Sequence, residues 1–212
     1  MKKLYIGIVL AAIFWFFLFA PFTELSYTIH HQYFWPVMAL ATAVLTVFAL
    51  NIQRDRLKEL FHFEVKHVLI GVAHAIFLYG FSRLGVVIAT WMFDWAQPQI
   101  EAIYQTRSQL SPFIIAPLLF FWIGPSEEVF WRGFVQNRLM EKLGEWKGTI
   151  VAILLYGGVH IWALNPMLLL AAIVLGTHWS IMYKRTKSLW PGIISHALWD
   201  TAIFVIFPVT FH

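Results

Sequence analysis

The chain contains no cysteine, so neither disulfides nor thiolate metal sites contribute to its stability or chemistry. It is also poor in charge. Only 12% of its 212 residues are Asp, Glu, Lys or Arg, while 60% are hydrophobic and 18% aromatic. Soluble domains carry about 25% charged residues, and half that share leaves too little polar surface to coat a water-soluble globule. A mean hydropathy of +0.70 agrees. The shortage excludes an ordinary soluble domain, a disordered chain and a nucleic-acid binder of the basic-patch kind. Internal repeats, low-complexity tracts and linkers are missing as well. What remains is a polytopic membrane protein. At about 20 residues per span, the chain has room for an all-α bundle of about seven to eight transmembrane helices with short loops. Residues 1–212 are therefore expected to form a single integral membrane domain.

Uncharged stretches mark the spans. Leu4–Thr23 comes first, behind Lys2 and Lys3. Pro21 after Ala20 is a poor cleavage context, so this stretch reads as an uncleaved span rather than a signal peptide. Leu25–Gln53 follows, with its apolar core at Phe34–Leu50, and then Val68–Phe93, interrupted only by Arg83. Ser108–Ser126 continues into a more polar helix reaching about Glu141. Within it, Gly124-Pro125-Ser126 reads as a break, with Ser126 as N-cap of a second helical piece. Gly148–Tyr183 is divided at Asn165–Pro166, and Leu189–Phe207 is the last run. Threaded this way, one side holds Lys2, Lys3, Arg54, Arg56, Lys58, Lys66, Arg138, Lys142, Lys147, Lys184, Arg185 and Lys187, against Arg107 alone on the other. The positive-inside rule then predicts seven crossings, with the N-terminus cytoplasmic and the C-terminus outside. The basic loops set topology and meet anionic lipid headgroups.

A charge near the bilayer centre costs about 2.5–3.5 kcal/mol on insertion scales. Glu127, Glu128, Arg132, His160, His196 and Asp200 nevertheless lie in or beside the spans. Counted inward from the basic ends, Glu127 lies roughly 21 Å deep, Arg132 roughly 14 Å, His160 roughly 17 Å, His196 roughly 12 Å and Asp200 roughly 18 Å. Residues from three different helices thus share one level, which predicts a single polar site. Glu128 and Arg132 are spaced i,i+4 in the favourable orientation for an ion pair. Glu127 points about 100° away from Glu128 and is left free. His196 with Asp200, and Tyr156 with His160, repeat the i,i+4 spacing. With both histidines neutral, three carboxylates face one arginine, so at least one proton should be retained. A glutamate poised in this way suits general base and then general acid work. His178, Arg83 and His74 are further candidates, read as helix-packing or interface residues.

These residues resemble a known family. Glu127-Glu128-Val129-Phe130-Trp131-Arg132 is similar to the EExxxR motif of the CAAX prenyl endopeptidase and bacteriocin-processing family of intramembrane proteases. Tyr156-Gly157-Gly158-Val159-His160 resembles its FxxxH motif, and His196-Ala197-Leu198-Trp199-Asp200 its HxxxN/D motif. All three occur in the family's order over a protease core at residues 111–208, while the first 110 residues match only as generic spans. The resemblance implies a glutamate-dependent endopeptidase. Glu127 would be the general base, and His160 would help it hold and activate water. Glu128 and Arg132 would order the helix and tune Glu127. His196 and the residue at 200 would stabilise the oxyanion. The chain departs from the pattern twice. Tyr156 replaces Phe and adds a hydroxyl. Asp200 stands where many members have Asn, so it must be protonated to donate, or must instead orient a charged His196.

Two other classes stay open. His160, His196 and a carboxylate suit Zn²⁺, although HExxH is missing. A transporter or a peptide-holding immunity protein would use no chemistry at all, although the repeated halves common in transporters are missing too. Rhomboid-type GxSG and presenilin-type GxGD signatures are also lacking. The protease reading needs no cofactor. Its partners are the lipid bilayer and a peptide, protein or lipid-linked substrate, with no nucleic acid, and short loops suggest a bacterial inner membrane. Oligomeric state is not legible.

Overall fold

The computed structural model describes residues 1–211, and helix is the only regular secondary structure among them. Helix α1 (Lys2–Phe19) ends where Ala20 turns extended, the conformation favoured ahead of a proline. The short α2 (Glu24–Gln32) starts in a capping box between Thr23 and Ser26. Tyr33 then breaks the expected Leu25–Gln53 run, and α3 (Phe34–Leu60) begins at its apolar core. There follow α4 (Val65–Met92), α5 (Ala96–Tyr104), α6 (Pro112–Leu143), α7 (Glu145–Val159), α8 (Pro166–Thr186) and α9 (Trp190–Ile206). Asn165 caps α8 by accepting from the Leu168 N–H at 2.9 Å, which makes the expected turn at Asn165–Pro166. Five helices, α1, α3, α4, α6 and α8, are long and apolar enough to cross a membrane. The protein is an integral membrane protein. The remaining two of the seven expected crossings fall on shorter helices, α7 with 15 residues and the apolar α9.

One expectation is corrected. Ser126 does not cap a second helical piece, because α6 runs through Gly124-Pro125-Ser126 without a break. Proline lacks an N–H and clashes with the carbonyl four residues back. The chain absorbs this by widening the preceding turn, Leu119–Ile123, to π geometry, so that the Gly124 N–H reaches Leu119 O. A second wide stretch covers Glu128–Gln136. Single π turns are often found at functional sites. All nine residues from Glu128 to Gln136 are buried, which places α6 at the centre of the bundle, packed by α1, α3, α7, α8 and α9.

Polar bonds gather the helix ends at two levels. At the basic end, Arg56 pairs with Glu141 and Lys187 with Glu145. There the loop after α3 also accepts from the start of α9, through Leu189 N–H to Leu60 O, Trp190 Nε1 to Phe61 O and Ser188 Oγ to His62 O. At the opposite end, Gln109 donates to His30 O, Trp35 to Thr106 O and Asn165 to Gln99 O.

Candidate active site

The polar residues of α6, α7 and α9 meet inside the bundle. Glu128 is fully buried. Its Oε1 accepts from His196 Nδ1 at 2.9 Å and lies 3.1 Å from Arg132 Nη1. Arg132 Nη2 donates to Gly176 O of α8 at 3.1 Å, and the guanidinium lies over the rings of Tyr156 (4.6 Å) and Trp179 (5.6 Å). His196 is sandwiched further. It stacks on Trp179 at 3.7 Å between centroids, and its Nε2 is 3.4 Å from Asp200 Oδ2. With a carboxylate at each ring nitrogen, His196 satisfies both as a donor only in its imidazolium form. Two glycines let these groups close up. A Cβ at Gly192 would lie 2.6 Å from Glu128 Oε2, and one at Gly176 would lie 2.5 Å from the Tyr156 ring.

Glu127 lies on the other side of α6. It lines a cavity of about 620 Å³ together with Tyr156, His160, His196 and Asp200. Glu128 and Arg132 stand behind the wall. The rest of the lining is mostly apolar, drawn from α3, α4, α5, α8 and α9, and includes Met38, Val86, Ile100, Leu175, Trp199 and Phe204. The polar partner of Glu127 is Tyr156, whose hydroxyl donates to Oε2 at 3.1 Å.

His160 differs from the water-holding group the resemblance implies. Its Nδ1 bonds the Tyr156 carbonyl at 2.8 Å, and its Nε2 accepts from Trp15 Nε1 at 3.2 Å. Each ring nitrogen therefore already has a protein partner. The indole of Trp15 is itself buried and packs edge-on against Trp131. Trp15 on α1 and His30 on α2 are site residues that sequence reasoning missed. His30 also lines the cavity, with Nδ1 donating to Leu18 O at 2.8 Å, and burial pushes its pKa below the usual imidazole value.

The comparisons with known proteins bear on the motif-carrying half. The family model for type II CAAX prenyl endopeptidase Rce1-like proteins matches residues 109–202. These residues form an Rce1-like CAAX prenyl endopeptidase family domain. No curated protein and no solved structure matches the chain.

The family domain contains all six motif residues, from Glu127 to Asp200. From outside it, His30 reaches the cavity and Trp15 holds His160. The other sequence candidates lie elsewhere. His178 and His74 bond each other at 2.7 Å across α8 and α4, and Arg83 donates to Pro208 O at 3.2 Å. Neither His178, His74 nor Arg83 lines the cavity. The groups of the family domain also fail to converge as zinc ligands would. Among the described residues, a cluster with ligand atoms all within 4.8 Å occurs only at His62, Glu64 and His67. That cluster sits at the basic end, where Lys66 is 2.8 Å from Glu64.

Proposed function

We propose that the protein is an intramembrane glutamic endopeptidase that cleaves a membrane-associated or lipid-linked peptide with water activated by Glu127. The observation that carries this reading is the division of labour on α6. Glu127 presents its carboxylate to a mostly apolar cavity, whereas Glu128 and Arg132 hold the helix from behind. Against an apolar lining, donors and charges aimed at developing charge are worth more than in water. Glu127 takes a proton from water as the oxygen attacks the scissile carbonyl, and it returns that proton to the leaving nitrogen when the C–N bond breaks. His196, held at Nδ1 by Glu128 and facing Asp200 at Nε2, lines the cavity and stabilises the oxyanion through its charge. His160 bonds the Tyr156 carbonyl and meets its ring edge-on. The apolar lining suits a substrate with a hydrocarbon portion, and a family domain named for prenyl endopeptidases supports that choice.

The basic end of the bundle fits a cytoplasmic side with seven crossings, the N-terminus inside and the C-terminus outside, and residues 1–212 acting as one unit. The test is cleavage of an internally quenched, farnesylated CAAX-type peptide by the detergent-purified chain. Wild type should cleave it, and Glu127→Gln should not while keeping wild-type elution and melting. Full activity in Glu127→Gln sinks the reading.

A further inference from the structure

The hydroxyl of Tyr156 is the point at which this chain leaves the FxxxH pattern, and the fold puts that hydroxyl to use. It is 3.1 Å from Glu127 Oε2 and lines the same cavity. The ring is fixed on several sides. The Arg132 guanidinium lies 4.6 Å over it, Trp131 and His160 meet it edge-on at 5.4 and 5.0 Å, and Gly176 leaves room for it where a Cβ would come within 2.5 Å. The backbone below is tied too, since Tyr156 O holds His160 and His160 holds Trp15. A phenylalanine would fill the same volume and keep these ring contacts, so the bond to Glu127 Oε2 is what the hydroxyl adds. A cation over the ring also draws electron density from the phenol and strengthens its O–H as a donor.

We infer that Tyr156 is a positioning residue for Glu127. Its O–H donates to Oε2 of Glu127, fixes the rotation of the carboxylate and leaves Oε1 to face the attacking water. The inference rests on the protease reading above. Tyr156 keeps its own proton throughout. The proton that water loses goes to Glu127 and from there to the leaving nitrogen, while the new C–O bond replaces the broken C–N bond.

The experiment has two readouts on the full chain in detergent. Infrared difference spectra at acidic pH locate the Glu127 carboxyl C=O band as the one lost in Glu127→Gln. In Tyr156→Phe that band should move to higher wavenumber, because a hydrogen bond is lost. With 2,3-difluorotyrosine at position 156, a stronger donor, it should move lower. On the quenched farnesylated peptide, Tyr156→Phe should lower kcat about 10- to 100-fold, the worth of one hydrogen bond to a charged group, and leave KM unchanged. A band that stays put in both variants, or a Tyr156→Phe kcat equal to wild type, overturns the role of Tyr156 and leaves the protease reading standing. No cleavage by wild type overturns the protease reading, and the positioning role with it, whatever the band does.

Discussion

Glu127 and Glu128 are neighbours in the chain, yet the fold treats them as opposites. Glu128 is fully buried and shares Oε1 between His196 and Arg132, which are held in turn by Trp179, Asp200 and Gly176 O. Glu127 has one protein donor, Tyr156, and a cavity in front of it. A buried charge with several partners is locked, and moving it means breaking all of them. A buried charge with a single partner retains the capacity to meet water and substrate. Two carboxylates one residue apart can therefore divide into a fixed anchor and a working group, and the wide turn that begins at Glu128 marks the boundary.

That division is most sharply broken at Glu127 itself. Replacing it by Gln should cut peptide cleavage by about 10²- to 10⁴-fold, the usual worth of a general base. Unfolding in detergent should change by no more than about 0.5 kcal/mol, because Gln keeps the shape and an acceptor for Tyr156. Glu128→Ala should do the reverse. It leaves Arg132 and His196 as buried cations without their shared acceptor, a loss of about 3–5 kcal/mol read as a lower melting temperature and a smaller folded fraction. If Glu128→Ala instead melts like wild type, the anchor is misassigned.

The two glycines sharpen the comparison at smaller cost. Gly192 faces Glu128 and Gly176 faces Tyr156, the donor to Glu127, and each would overpack by about 1–3 kcal/mol as Ala. Gly192→Ala drives a Cβ toward Glu128 Oε2, so it should lower the melting temperature of the anchor. Gly176→Ala drives one into the Tyr156 ring, so it should displace the hydroxyl from Glu127 and lower kcat beyond what its stability loss explains. Equal kcat per folded molecule in the two variants would erase the distinction.

How much of this was legible follows from what each residue offers a reader of the sequence. Charged and polar groups inside apolar runs stand out, and helix rise alone puts Glu127, Arg132, His160, His196 and Asp200 at one level. The break at Asn165–Pro166 was legible because Asn caps and Pro starts helices. The same logic failed at Gly124-Pro125-Ser126, where a wide turn absorbs the proline and nothing in the local sequence signals it. Gly176 O is a backbone carbonyl, and Trp179 is one of 11 tryptophans in the chain. Neither carries a mark of the residue it meets across the bundle. Trp15 and His30 belong to the half that reads only as generic spans, so the bond of Trp15 to His160 and the place of His30 in the cavity wall are purely tertiary information.

Trp15 gives the smallest effect and tests whether that half contributes to the site or only encloses it. Its indole N–H holds His160 Nε2 at 3.2 Å, and His160 holds the backbone under Tyr156. Trp15→Phe keeps an aromatic ring against Trp131 and deletes the donor. The lost hydrogen bond should cost about 0.5–1.5 kcal/mol, measured by unfolding in detergent. A double-mutant cycle with His160→Phe should return a coupling energy of about that size, since contacting residues couple by about 0.5–3 kcal/mol. In solid-state NMR of ¹⁵N-histidine-labelled protein, the acceptor nitrogen of His160 should shift on loss of its donor, with the signal assigned by its absence in His160→Phe. Additive mutations and an unmoved resonance would reduce Trp15 to wall packing, and the catalytic geometry would then be complete within the family domain.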